Sequence, residues 1–214
     1  DVISLLRTCP PIWLKIILRS GDLTIQIVMA GTGGQGILFA ARVLQQAAVE
    51  AGFNIIGSET HGMSQRGGSV VAHLKIGDAK SPLIRRNSAD ILYSIHHGET
   101  IVNLPFLRDG GFCFVNSSIN SSEYNLPADI GRSIKKKKVS FFSVDADKLA
   151  LETGSILSAN LVLLGYSLNA GILPFSLKHL HNAVRKIGKG RAEKANLAAV
   201  DAGFQYGKTS LSCS

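Results

Sequence analysis

Two segments of the chain carry residue types and spacings that could do chemistry. The first is Gly31-Thr32-Gly33-Gly34-Gln35-Gly36, where Gly31, Gly33 and Gly36 make the spacing G-x-G-x-x-G. Glycines permit a tight turn and close backbone approach. A helix opening there presents free N–H groups and a partial positive charge to an anion such as pyrophosphate. A dinucleotide-binding enzyme adds an acidic residue about 20 positions on. Glu59 lies 23 residues after Gly36. The same glycines also suit a turn that only lets strand and helix pack closely, and the spacing leaves both readings open. No Gly-Lys-Ser/Thr follows, which rejects a P-loop.

The second segment runs from Ser58 to Gly68 and holds Glu59, His61, Gln65, Arg66 and the glycines Gly62, Gly67 and Gly68. A bare connection between strands needs only a few residues. Arg66, followed by Gly67-Gly68, suits a carboxylate or phosphate because nothing hinders approach of its planar fork. Glu59 and His61 could instead form a buried ion pair that only shapes the loop. One histidine without a second ligand nearby is a poor metal site, so no metal ligand and no catalytic residue is assigned. His96-His97 reads as a polar strand end. The chain has no Gly-x-Ser-x-Gly, no His-Glu-x-x-His and no Gly-Asp-Gly of the thiamine-diphosphate type.

Elements with strand and helix periodicity must position these segments. Thr24 to Ala30 is a short β-rich run, and Ile37 to Glu50 repeats its apolar positions at three and four, giving a helix with one buried face. Phe53 to Ile56 is a second strand, so strand, turn, helix and strand form a unit of βαβ size. Further strands are expected at Ser69–Ile76, Ala89–Ile95, Gly110–Val115 and Val139–Val144. The Ser- and Asn-rich stretch Asn116–Lys138 reads as a loop or lid-like excursion. Ser158–Ala170 is apolar nearly all round, hence a buried helix. Helices from Ser176 to Ile187 and from Ala192 to Phe204 follow. The expected fold is α/β: a single domain with an open, mostly parallel Rossmann-like sheet flanked by helices. Residues 1–23, broken by Pro10-Pro11, read as an N-terminal appendage, 24–207 as the domain and 208–214 as a tail.

Of 214 residues, 45% are apolar and 18% charged, which excludes a disordered tail protein. The net charge of +8 is uneven: Arg132 and Lys135–Lys138 put five cations in seven residues, and Lys178–Lys208 holds seven cations against two anions. No aromatic residues interleave the lysine run, so solvated surface is preferred over a nucleic-acid groove; an acidic protein partner is the other reading. Cys9, Cys113 and Cys213 are far apart and form no C-x-x-C. They exclude a four-cysteine cluster within the chain and suit reduced thiols in the cytoplasm. No apolar run is long enough to span a membrane, and Ile12–Leu18 is interrupted by Lys15, unlike a signal peptide.

Ala30 to Ile37, containing the glycine turn, is similar to the opening motif of the gamma-type domain of 2-oxoacid:ferredoxin oxidoreductases. Gly57 to Val70 resembles the indolepyruvate branch of that family, the beta subunits of indolepyruvate ferredoxin oxidoreductases. Ser81-Pro82-Leu83-Ile84, Ala89-Asp90-Ile91-Leu92, Asn160, Leu164-Gly165, Pro174 and Asn196 fall in the family's order, so the resemblance covers residues 24–207. It implies the small subunit of an enzyme that decarboxylates an arylpyruvate oxidatively, giving acyl-CoA, carbon dioxide and reduced ferredoxin. It further implies that thiamine diphosphate and the iron–sulfur clusters sit in a larger alpha subunit. Coenzyme A would join in the holoenzyme, and this chain alone would bind no cofactor and be inactive. The implied partners are the alpha subunit and, for the holoenzyme, ferredoxin, with no nucleic acid and no membrane. The implied ligand- or interface-binding residues are Gly31, Gly33, Gly34, Gln35, Gly36, Glu59, His61, Gln65, Arg66, Gly67 and Gly68. Arg66 would face an anionic group of a ligand or of a partner. The chain departs from the family at His96-His97, where a Glu-Pro pair is usual, in Asn116–Lys138 and in residues 1–23. The alternative from the residues alone is a stand-alone Rossmann-type NAD-dependent oxidoreductase with Glu59 on a ribose.

Overall fold

A computed structural model describes residues 24–61, 67–117, 128–188, 190 and 192–211. The apolar run Ile25–Thr32 forms strand β1, and both of its faces are covered. Ile25, Ile27 and Met29 point into the larger of two cores, while Val28 points into the smaller. A strand buried on both sides needs such a continuous run rather than a polar alternation. Helix α1 (Ile37–Glu50) follows, burying Ile37, Ala40, Ala41, Val43, Leu44, Ala47 and Ala48. It matches the range its periodicity predicts.

Strands β2 (Ile55–His61) and β3 (Ser69–Ile76) pair antiparallel, and β3 pairs antiparallel with β1. β4 (Ala89–Ser94), β5 (Leu107–Asn116) and β6 (Ser140–Val144) extend the sheet from the other side of β1 in parallel. The order is β2-β3-β1-β4-β5-β6. Five strands share one direction and β3 opposes them, so the open, mostly parallel expectation holds.

Helices α2 (His97–Asn103), α3 (Ala128–Lys136), α4 (Ala146–Glu152), α5 (Ala159–Asn169), α6 (Leu177–Ile187) and α7 (Glu193–Leu211) complete the described elements. The larger core packs one sheet face against α1, α5, α6 and α7. The smaller fills the opposite face with Ile84, Leu104 and Leu107, flanked by Ile134 of α3. α5 and α7 cross at very short range through Gly165 and Gly203. A Cβ on Gly203 would collide with the Val162 carbonyl, and one on Gly165 with that of Val200. Among the described residues no helix is long and apolar enough to cross a membrane.

The structure corrects three local expectations. β2 continues through Ser58, Glu59, Thr60 and His61, because pairing with β3 from Ala72-His73 to Val70 satisfies their backbone although their side chains are polar. Asn116–Lys138 is not loop throughout: α3 occupies Ala128–Lys136, with Lys135 and Lys136 in its last turn, where cations complement the helix dipole. His96-His97 does not merely end a strand. His96 caps α2 and His97 is its first residue.

Candidate functional site at the carboxyl edge of the sheet

In the strand order, the chain leaves β1 toward β2 and β3 on one side and returns to β4 on the other. The carboxyl ends of β1 and β4 therefore flank a topological switch point, where open α/β sheets form their binding crevice. The glycine turn lies there, between β1 and α1. So does Ile95, whose N–H donates to the Ala30 carbonyl at 2.9 Å.

The turn is held from three directions. Gln35 folds back on itself: its Oε1 accepts the Thr32 N–H at 2.8 Å, and its own N–H donates to the Thr32 carbonyl at 3.1 Å. The Gly33 N–H donates to the Gly68 carbonyl at 2.8 Å. Asn160 at the start of α5 donates through Nδ2 to the carbonyls of Gln35 and Gly36, each at 3.0 Å. Gly36 begins α1 in the left-handed region (φ 70°), and a Cβ there would collide with the Asn160 amide. A Cβ on Gly31 would lie 2.6 Å from Ile37 Cδ1. Gly31 and Gly36 thus serve close packing, whereas nothing lies within 4 Å of a Cβ built on Gly34. The close-packing reading of the motif holds at Gly31 and Gly36, while Gly34 faces open space.

The N-terminus of α1 has no side-chain cap. Its orphan N–H groups and positive dipole end border a cleft of about 550 Å³ lined by Thr32, Gly33, Gly34, Leu38, Phe39, Arg42 and neighbouring residues. Among the described residues Arg42 is the one charged residue of that lining. The uncapped N–H groups of the first turn of α1 beside a guanidinium suit an anionic group. The sequence reading missed Arg42, although it is the lone cation of α1 and stands four residues after Leu38, on the same helix face.

The second predicted segment meets the first. β3 begins beside the end of β1, with Thr32 opposite Ser69, so Gly68 and Ser69 join the turn. Ser69 donates its hydroxyl to Glu99 Oε2 at 2.7 Å, which ties β3 to α2. Asn103 donates to the same carboxylate oxygen at 3.1 Å. His96 accepts the Gly98 N–H on Nδ1 at 3.2 Å, and its ring stacks on that of His97 with centroids 4.6 Å apart. Buried Asn116 ties β5 to both neighbours: it donates to the Ile95 carbonyl and accepts the Ala146 N–H. Glu99 and Asn116 carry no sequence signature of their own; only the sheet order brings them beside Ser69 of the Gly57–Val70 motif.

Glu59 is exposed on β2 opposite Ala72, so its carboxylate is not buried. β3 separates β2 from β1, which puts Glu59 two strand spacings, about 9–10 Å, from the glycine turn. A ribose carboxylate belongs on the strand next to the turn, so this topology disfavours the dinucleotide reading. His61 ends β2 opposite Val70. Gln65 and Arg66 lie outside the described residues, as do Gly62, Met63 and Ser64. Gly67 adopts φ 77°. Among the described residues no group of three His, Cys, Asp or Glu side chains could hold a metal ion.

The profile described as "Pyruvate ferredoxin/flavodoxin oxidoreductase" matches residues 26–206. The chain belongs to the pyruvate ferredoxin/flavodoxin oxidoreductase family. Within that family it is 33% identical over 195 residues to the indolepyruvate oxidoreductase subunit IorB of Pyrococcus horikoshii, covering 86% of this chain and 96% of that one. It is 31% identical over 188 residues to the IorB subunit of Archaeoglobus fulgidus, covering 84% and 94%. The fold is also that of the gamma subunit of a keto/oxoacid ferredoxin oxidoreductase from Geobacter sulfurreducens, with a TM-score of 0.67, 21% identity and coverage of 87% and 99%. The resemblance carried by the two motifs is borne out, and the chain is of the kind that serves as a subunit of an oxidoreductase.

Proposed function

We propose that this chain is the small, partner-dependent subunit of a thiamine-diphosphate-dependent indolepyruvate:ferredoxin oxidoreductase. The observation that carries the reading is its identity to indolepyruvate oxidoreductase subunits over nearly their whole length. The reaction converts an arylpyruvate and coenzyme A to the aryl-acetyl-CoA and carbon dioxide, and passes two electrons to ferredoxin. Thiamine diphosphate, carried with the iron–sulfur clusters by the larger alpha subunit, supplies the decarboxylation chemistry.

In this reading the carboxyl edge of the sheet completes the assembly. The uncapped start of α1 and Arg42 receive an anionic group, and the segment from Glu59 through Arg66 to Gly68 presents a second anion contact. Leu151, Ile156 and Leu157 suit burial against the alpha subunit: they are 65%, 54% and 68% exposed, and Leu157 closely precedes Asn160, which holds the turn. The residues themselves bind and orient, and none is assigned a proton-transfer role. The domain limits proposed are 24–207, with 1–23 as an appendage, and the compartment proposed is the cytoplasm.

The test is co-expression of the chain with its cognate alpha subunit, followed by assay of arylpyruvate- and coenzyme-A-dependent ferredoxin reduction. The expected result is activity only in the co-complex, weakened by Arg66→Ala or Arg42→Ala. Turnover of pyruvate or 2-oxoglutarate in place of arylpyruvates would refute the substrate. Tight NAD(H) binding by the isolated chain would refute the subunit reading.

A further inference from the structure

The lysine run that the sequence singles out, and that the proposed function leaves unused, borders a second cleft at the opposite end of the sheet. There Ala89 of β4 pairs with Leu107 of β5 and Ile91 pairs with Phe112, so Asp90 alone stands opposite the four residues Arg108 to Gly111. Bulges of this kind re-aim a side chain, and they are over-represented beside functional sites. The side chain re-aimed here is Arg108. Its Nε donates to Asp90 Oδ1 at 2.6 Å, and its Nη1 donates to the Asp109 carbonyl at 3.0 Å. Asp90 is 5% exposed and accepts the Gln26 N–H on its other oxygen at 2.8 Å, so the guanidinium is anchored to a fixed carboxylate.

Lys137 is anchored as well: its ammonium donates to Asn87 Oδ1 and to the Leu107 carbonyl. Gly110 N–H donates to the Lys137 carbonyl at 2.7 Å, joining the bulge to the residue that follows α3. Among the described residues the non-glycine positions with positive φ are Asn87 at 59° and Lys138 at 52°. Both belong to this junction, and backbone strain of that kind collects at ligand sites. Arg108, Lys136 and Lys137 line one cleft of about 690 Å³ with Asn87, Ser133 and the exposed Asp109. Arg85 and Arg86, just before Asn87, and Lys135 and Lys138, flanking Lys136 and Lys137, lie exposed, so the surrounding field is positive.

We propose that this cleft binds the phosphate group of a small phosphorylated ligand. A preset guanidinium fork and two ammonium groups converge on a concavity of small-molecule size, and phosphate is the anion whose several oxygens accept from all three at once. A flat acidic protein surface would not reach a guanidinium seated in a concavity.

Pyrophosphate titrated into the full chain at about physiological ionic strength, followed by calorimetry and by ³¹P line broadening, tests the assignment. Lys136 is exposed and makes no anchoring bond, so Lys136→Glu and the milder Lys136→Gln change the cleft without cutting its frame. The expected loss in affinity for Lys136→Gln is about tenfold, as for one charge-assisted hydrogen bond, and it is larger for Lys136→Glu. Lys178→Glu, the same charge change on exposed α6, should leave affinity within about twofold, because a screened surface charge at a distance contributes little. Equal weakening by Lys178→Glu, loss carried instead by Arg42→Glu, or absence of binding at millimolar pyrophosphate would each overturn the proposal.

Discussion

Truncating Asn160 to alanine should loosen the glycine turn by a predictable amount. Asn160 is 1% exposed, and its Nδ2 spends both hydrogens on the carbonyls of Gln35 and Gly36. The Gly36 carbonyl keeps a second donor, the Ala40 N–H at 3.0 Å, so the Gln35 carbonyl bears most of the loss. Two buried hydrogen bonds contribute roughly 1 kcal/mol each, and the missing amide leaves a small void. Against this, Asn160 Oδ1 is buried without a partner among the described residues, and removing it relieves part of the cost. The balance is a loss of about 2 kcal/mol, which for a chain of this size lowers Tm by about 4–8 °C. Asn160→Asp should be worse at neutral pH, because it turns an ionised oxygen toward two carbonyls. Burial and those carbonyls raise the aspartate's folded-state pKa above its unfolded value, so its penalty shrinks on acidification. Urea denaturation of the three chains at neutral and acid pH gives both numbers. An alanine variant within about 0.5 kcal/mol of the parent, the scatter of a neutral surface change, would refute the clamp. So would an aspartate variant no worse than alanine.

Gly203→Ala should cost about 3 kcal/mol or more, because its methyl meets the Val162 backbone across the α5–α7 crossing, and backbone cannot move as cheaply as a side chain. Gly131→Ala in α3 has open space and should gain about 0.5–1 kcal/mol in the same denaturation assay. His73 accepts the Ile84 N–H on Nδ1, and burial, with Lys75 nearby, holds its pKa below the ordinary 6.5. The unfolded chain therefore takes up the proton first, so this site's share of stability is full above 6.5 and declines as pH falls through that value. A His73→Gln variant should flatten that decline in urea midpoints. Burial pushes the Cys113 thiol well above its usual range, so it should stay unreactive toward a thiol reagent in the native chain and react on unfolding.

The carboxyl edge owes its legibility to patterns that are local. G-x-G-x-x-G after an apolar run fixes a turn opening a helix, because only glycine tolerates the φ of Gly36 beside a packed amide. The period of Ile37–Glu50 fixes α1, since one apolar stripe at helical spacing has one way to be buried. The end of β2 was illegible for the opposite reason. Ser58 to His61 carry polar side chains, and their strand state comes from backbone pairing with β3, with partners nine or more residues away. α2 and α4 were also missed, being one to two turns long and capped by His96 and Asp145 rather than marked by a long periodic face.

The alternation of strands and helices, the glycine turn and the family it marks could be read along the chain. Which residues share an end of the sheet followed from packing alone. The insertion of β3 between β1 and β2 carries Glu59 away from the turn and brings Gly68 and Ser69 to it. The α5 packing delivers Asn160 from 124 residues away to the Gly36 carbonyl. The β5 bulge sets Arg108 against Asp90 at the far end. Strand order and register are settled by burying two cores at once, a global condition that no short window of residues contains.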